Sequence, residues 1–419
     1  MRQPGAGGQA ALPAHLKEIN RQKILRVILS GRVLTVGDIH AETSISRPTV
    51  MRALQDYMRM GVVRSLGPGS TTSAGGKKPE LFCFADERRI LCVNLWPGNI
   101  TLALSGLIGD VYAMDSAPCP AGVSLEEAFA LLRRLTADYL ARQGLTLGDL
   151  YGVVLSVPGT VDYATKTLRY NSQAPSWGVN VPLAEYLRAM FGDGPVYMID
   201  NAGKAAGRAV LTEHPEYAAS RLMTLFTTWG VSACMMERGH ILNGRDSLIG
   251  EIGHMVISGD GPETCGCGKR GCLESLVSLR HVRRLLARAG ETGDLSDLSY
   301  RALFARSAGG DERAQGVVRH LARCFAAALH NLSLTYDQDA VVFQGEFAWA
   351  DETFDRCLKE ELRQFRYYPE GQLFSIAYDR RELPMLAARG GAELLKRHYF
   401  AELGGERGEG GRRGQTACG

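Results

Sequence analysis

No apolar run in this chain approaches the roughly 18 residues that suggest a membrane span, so no membrane partner is expected. The first fourteen residues are rich in Gly and Ala and carry no apolar core. No secretory signal is read there, and the expected compartment is the cytoplasm, where structural disulfides are rare. Cysteine is not arranged as a disulfide framework. Seven of the ten cysteines stand singly and read as small buried hydrophobes, and only Cys265, Cys267 and Cys272 cluster. Net charge is small, +3 over 419 residues, and aromatics make up only 8%. There is no internal sequence repeat. These absences leave an ordinary soluble composition, long enough for two or three domains and a large core.

The small net charge hides an asymmetry. Residues 15–85 carry eleven Lys/Arg against five Asp/Glu, a balance of +6, and the remainder carries thirty-seven against forty, a balance of −3. A basic unit on a slightly acidic body suggests that the first part meets a polyanion. A solvated charged surface is the plain alternative. The order of elements favours the polyanion. "HLKEINRQKILRVILSG" has apolar residues at helical spacing and Gly31 as a stop. "TVGDIHAETSI" reads as a short second helix ending near Thr43, and "SRPTVMRALQDYMRMG" as a third, with Ser46 as cap and Pro48 in the first turn. "VVRSLGPGSTTSAGGKKPELFCF" then reads as two strands around a Gly/Ser-rich tip. That succession is the winged helix-turn-helix order. Ser46, Arg47, Thr49 and Arg52 suit the exposed first turns of a recognition helix, and Lys77 and Lys78 at the hairpin tip suit a phosphate backbone or minor groove. Operator DNA is the expected partner.

From about residue 90 strands alternate with helices. "LYGVVLSVPGTVD" and "GPVYMIDNAGKAAGRAVL" are each a buried strand running into a loop. "RLMTLFTTWGVSACMMERGHILNG" is a strand pair, and "ARCFAAALHNLSLTYDQDAVVFQGE" a long helix feeding a strand. This is α/β organisation, with sites supplied by loops at strand ends.

The stretch "EIGHMVISGDGPETCGCGKRGCLES", Glu251 to Ser275, concentrates the chemistry. His254, Cys265, Cys267 and Cys272 make a closed tetrahedral set for structural zinc, with interleaved glycines allowing the tight turns. Glu251 and Glu274 flank the metal loop and could hold vicinal hydroxyls of a sugar, or simply orient the metal ligands. Asp200 ends the strand "VYMI", where an α/β site places a general base and where a helix cap also belongs.

These motifs resemble the ROK family of repressors, open reading frames and sugar kinases over about residues 15–400. "EIGHM…CGCGKRGCLES" is similar to the family's E-x-G-H and C-x-C-G-x-x-G-C-x-E signatures, "GVVLSVPGTVD" to its G-x-P-G strand and loop, and "IDNAGKAAG" to its N-D-A-N-A-A-A-x-G segment. The winged helix resembles that of the repressor branch. The resemblance implies an α/β protein: a winged helix-turn-helix at 15–85, then a two-lobed, actin-like sugar-kinase body at 86–400. Lobe one would span about 86–215 plus 385–400 and lobe two about 216–384, with tails at 1–14 and 401–419. It implies a sugar held by Asp200, Asn201, Glu251, His254 and Glu274, and zinc on His254, Cys265, Cys267 and Cys272, with the second His254 ring nitrogen toward the sugar. Three departures stand out in the ATP elements, and a fourth before the aspartate. The kinases' D-x-G-G-T phosphate loop reads "NLWPGN", so Asn94, Trp96 and Pro97 replace the aspartate and two glycines. The second phosphate loop reads "TWGVSAC", and the Gly-Gly near the nucleotide base reads "GEF". Proline removes an N–H donor and tryptophan fills space a phosphate needs. Ile199 also replaces the asparagine before the aspartate. The expectation is a homodimeric, sugar-responsive repressor that is not an enzyme. The competing reading is an ATP-dependent hexose kinase with an added DNA-binding unit.

Overall fold

The computed structural model describes residues 11–69, 78–120, 122–172, 174–228, 230–259, 261, 263–365 and 374–404. The N-terminal unit comprises α1 (Ala11–Ile28), β1 (Leu34–Thr35), α2 (Val36–Thr43), α3 (Arg47–Arg59), β2 (Val63–Pro68) and β3 (Glu80–Phe84). α1 begins inside the stretch expected to be a tail, and residues 1–10 lie outside the described ones. A capping box between Thr35 and Asp38 starts α2, and Ser44 ends it in the left-handed conformation. α3 buries Val50, Ala53, Leu54 and Tyr57 along one face. Ser46 stands at its N-cap, yet its hydroxyl bonds the Thr49 hydroxyl at 2.9 Å and caps no backbone N–H. β3 lies between β1 and β2, antiparallel to both. The hairpin tip, residues 70–77, falls outside the described residues.

The body follows with β4 (Arg89–Trp96), β5 (Gly98–Gly106), β6 (Val111–Cys119), α4 (Leu125–Arg142), β7 (Leu150–Val157), β8 (Thr160–Asp162), β9 (Thr167–Tyr170), α5 (Leu183–Phe191), β10 (Val196–Asn201) and α6 (Ala202–Glu213). Then come β11 (Arg221–Thr227), β12 (Val231–Glu237), β13 (His240–Ile241), α7 (Leu273–Val277), α8 (Leu279–Arg288), α9 (Tyr300–Ala308) and α10 (Glu312–Tyr336). The chain closes with β14 (Ala340–Gly345), α11 (Glu352–Gln364), β15 (Ser375–Asp379) and α12 (Leu383–Gly404). Two five-stranded sheets result, in the orders β10-β7-β4-β5-β6 and β13-β12-β11-β14-β15. Counting each sheet's strands in chain order, the first pairs antiparallel with the second and parallel with the fourth, and the fifth runs parallel beyond the fourth. The lobes thus share one topology that no sequence repeat announces. The inner parallel strands β7 and β14 are buried at every residue, while the outer parallel strands β10 and β15 are not. β6, at an edge, alternates in exposure along most of its length.

α12 is the element that ties the units together. It crosses α6 closely, because a side chain at Gly390 would fall on the Ala205 backbone. Ala205, Ala206 and Ala209 keep that face of α6 small. Farther along, Leu395, Tyr399 and Leu403 of α12 join Ile24, Ile28, Leu54, Tyr57 and Phe82 of the N-terminal unit in one apolar core. Ile90, Cys92 and Val154 of the first body sheet share it. The DNA-binding-type unit is therefore packed onto the body and is not a bead on a tether.

Candidate functional site

The carboxyl ends of the parallel strands converge on one crevice, as open α/β sheets dispose them. β7 delivers Pro158 and Gly159, β10 delivers Asn201, and the turn between β11 and β12 delivers Thr228 and Gly230. A short 3₁₀ turn, Ile252–His254, and the first turn of α7 add His254 and Glu274, with Glu251 just ahead of that turn. Gly159 is obligatory here: its φ is +95° and a side chain would collide with the Tyr170 carbonyl. The crevice opens into a vestibule of about 860 Å³ lined in part by Tyr170, Leu248, Met255 and Lys269.

Four of the five residues expected to hold a ligand line the crevice: Asn201, Glu251, His254 and Glu274. Glu274 Oε2 accepts from the Val231 N–H at 3.1 Å, and Glu251 Oε1 from the Thr160 hydroxyl at 3.4 Å. Burial pushes the Glu251 pKa up. Asn201 is the cap of α6, its Oδ1 accepting from Lys204 N–H at 3.1 Å, while its Nδ2 donates to the Gly159 carbonyl at 2.7 Å. It fastens the two strand-end loops together and retains one N–H and one lone pair for a ligand.

Asp200 stands apart from these four. It is 0% exposed and does not line the crevice. Its Oδ2 accepts from Arg208 Nη1 at 2.5 Å, and its Oδ1 accepts from the Tyr163 hydroxyl. Both oxygens are engaged by protein donors, and the cap role falls to Asn201. Burial, followed by the Asp200 charge, holds the Tyr163 phenol protonated far above its ordinary range. Sequence reasoning misses Arg208, Tyr163 and Lys204. Lys204 is buried, donates to Asn243 Oδ1 at 3.0 Å and lies 5.1 Å over the Tyr163 ring. The available signal is a pair of cations at i, i+4 on a stretch otherwise made of Ala and Gly.

His254, Cys265, Cys267 and Cys272 come together, with their ligand atoms all within 4.8 Å of one another. Cys265 Sγ is 3.4 Å from His254 Nδ1, and the sulfurs of Cys267 and Cys272 are 3.6 Å apart. A tetrahedral zinc with bonds of about 2.3 Å to sulfur and about 2.0 Å to nitrogen sets its ligands roughly 3.5–3.8 Å apart. The residues could therefore hold such an ion. Gly271, at φ +75°, lets the loop turn where a side chain would collide with the Ser258 carbonyl. His254 presents Nδ1 to the sulfurs while the residue lines the crevice.

On the N-terminal unit, Ser46, Arg47, Thr49 and Arg52 are all exposed at the start of α3. Arg47 and Arg52 have no ion-pair partner among the described residues. Lys78 is exposed; Lys77 lies outside the described residues, as does Trp229 of the second loop. At the altered first loop, Asn94 is buried and donates to the Pro384 carbonyl at 2.9 Å. Trp96 packs edge-on against Phe226, ring centroids 5.6 Å apart, between the crevice and a cavity behind it. Ile199 is part of the lobe-one core.

Two α/β lobes of matching topology, with a crevice at the strand ends and a winged helix packed on one lobe, define the actin-like sugar-kinase class carrying a DNA-binding-type unit. Within that class the chain belongs to the ROK family, whose model matches residues 121–397. It is similar to a xylose repressor of Caldicellulosiruptor bescii, 24% identical over 361 residues, covering 83% of this chain and 88% of that one. A glucokinase of Thermotoga maritima is 29% identical over 232 residues, 50% of this chain and 68% of the enzyme. Among solved structures, a ROK family transcriptional regulator described as a homologue of the E. coli MLC protein has a TM-score of 0.74 at 19% identity, over 93% of this chain and 99% of that one.

Proposed function

We propose that the protein is a sugar-responsive transcriptional repressor that binds operator DNA through α3 and the β2–β3 wing and does not phosphorylate its ligand. The observation that carries the reading is the pairing of an exposed basic recognition helix with a kinase-like crevice beside which the strand-end carboxylate, Asp200, is sealed by Arg208 and Tyr163. Similarity to a xylose repressor over most of both chains supports it. The sugar is held by Glu251, Glu274, His254 and the remaining valences of Asn201, its hydroxyls bridging carboxylate oxygens. Structural zinc on His254, Cys265, Cys267 and Cys272 fixes the loop that carries Glu251 and Glu274. The protein works in the cytoplasm as a homodimer, because a helix-turn-helix reads two half-sites about one helical turn apart or a multiple of it.

Ligand between the lobes acts by favouring one arrangement of the two winged helices, and only by its differential affinity for the two states. A coupling of about 1–3 kcal/mol gives a 5- to 150-fold change in operator affinity. By linkage the effect is reciprocal, so the test is a pair of titrations: sugar affinity with and without operator across a panel of sugars and sugar phosphates. Equal affinities for a sugar that does bind would sink the sensor reading. The kinase alternative, suggested by the glucokinase relative, is tested by sugar-dependent ATP turnover. We expect none, because Asp200 is fully buried and both its oxygens are engaged by protein donors.

A further inference from the structure

We propose that the effector is a glycoside of more than one ring, with one sugar in the crevice and the next in the vestibule outside it. The inference rests on the sugar reading of the crevice given above and narrows it to a disaccharide or longer. Of the four crevice residues assigned to the sugar, only Glu251 and His254 line the vestibule as well; Gly159 and Ser172 also belong to both spaces. A ligand that projects from the crevice into the vestibule therefore passes Glu251 and His254. The room beyond is about 860 Å³. That is near the upper end of small-molecule pockets, roughly 300–1,000 Å³, and far more than a single sugar ring occupies.

The wall suits a neutral ring with a hydroxyl rim. Tyr170 and Leu248 are large apolar residues left 41% and 62% exposed on this concave surface. Both are held at the crevice edge. Tyr170 pairs with Thr160 across β8 and β9, and its carbonyl abuts Gly159 so closely that only glycine fits there. The Leu248 carbonyl accepts from the Glu251 N–H at 3.1 Å, so the two residues share one turn. A pyranose has an apolar C–H face and a rim of hydroxyls. A phenol offers the matching pair, a flat apolar body and a polar tip. The Tyr170 hydroxyl has no hydrogen-bond partner among the described residues, and Ser172 and the Lys269 ammonium add polar groups to the same wall. A phosphate is poorly served. Arg169 is engaged by Asp162 at 2.5 Å and by Asn180 at 3.2 Å. Lys269 is then the one lining Lys or Arg without an ion-pair partner among the described residues, while Glu251 adds a carboxylate that an anion would meet.

The test compares single sugars with their dimers by calorimetric titration of the full-length protein, with melting temperature as a second readout. The probes are D-xylose with xylobiose, D-glucose with cellobiose and maltose, and glucose 6-phosphate as the anionic arm. At least one disaccharide is expected to bind about tenfold or more tightly than its parent sugar, and more tightly than glucose 6-phosphate. Tyr170→Ala should remove that advantage. Leu248→Ser, at a position exposed enough to leave folding little affected, should reduce it. A parent sugar that binds while no disaccharide binds more tightly would overturn this proposal and leave the sugar reading standing. Glucose 6-phosphate as the tightest probe would do the same, and so would a disaccharide advantage undiminished in both variants. Binding by none of the probes would overturn the sugar reading together with this one.

Discussion

At the scale of single residues, the fate of Asp200 decides what the crevice can do. A carboxylate in this position of a sugar site would take a hydroxyl proton; here it is one corner of a buried Arg208–Asp200–Tyr163 cluster. Removing one partner of such a pair leaves an uncompensated buried charge, at a cost of about 3–5 kcal/mol. Asp200→Asn is therefore expected to lower unfolding stability by that amount in urea titrations. Asp200→Asn combined with Arg208→Met should recover most of the loss, since neither charge then remains. A single substitution costing under about 1 kcal/mol would contradict the ion-pair account. Glu274, by contrast, sits on the crevice wall with its Oε2 on the Val231 N–H. Glu274→Gln should leave operator binding intact and abolish the sugar response, read by fluorescence anisotropy of labelled operator with and without sugar.

At the scale of elements, the metal loop and the recognition helix make separable predictions. Cys267 is exposed, so Cys267→Ser removes little packing. Any large fall in melting temperature therefore reports loss of the metal, whose binding energy contributes directly to folding. Elemental analysis should give about one zinc per chain in the wild type and a loss in the variant; a metal-free wild type of equal stability would rule the centre out. On α3, Arg47→Ala should relax sequence preference, whereas Lys78→Ala on the wing should weaken all duplexes alike. Each DNA phosphate that the variant no longer neutralises should lower the salt slope of log K by about 0.9. An unchanged slope in Lys78→Ala would mean that the wing does not touch the DNA. α7 and the 3₁₀ turn are short, so their positions depend on the loop between them; Met255 O accepts from Leu273 N at 2.9 Å across it.

At the scale of the whole molecule, the shared core makes the N-terminal unit dependent on the body. Leu403, near the end of α12, is buried with Ile24, Leu54 and Tyr57 in that core. Leu403→Ala should cost about 2–5 kcal/mol and weaken operator binding although it lies far from α3 in the chain. A fragment ending at residue 85 should melt below the intact protein, because Tyr399, Leu395 and Ile90 no longer cover its apolar face. Circular dichroism of the fragment checks this; an equal melting temperature would mean that the units are independent. α12 also begins beside the cavity behind Trp96 and ends against the core of the N-terminal unit, so it spans the distance from the lobes' cleft to the winged helix.

Much of this was legible in the chain. Cap residues, Pro and Gly positions and apolar periodicity are local, so the winged helix order and the alternation of strands and helices could be read directly, and the ligand spacing of His254, Cys265, Cys267 and Cys272 brought four residues of one stretch to one point. Other features depend on groups far apart in sequence. The matching strand order of the two lobes lies in pairing geometry, which different side chains satisfy equally well. The partnering of Asp200 with Tyr163 joins residues 37 apart, and no spacing rule foretells that a phenol will bond this carboxylate. Trp96 signalled a lost phosphate loop; that it walls off a cavity became visible only once Trp349 and α12 were set beside it. Local physics wrote the elements and the metal set into the sequence, while long-range packing decided which carboxylates are open to a ligand and which are sealed.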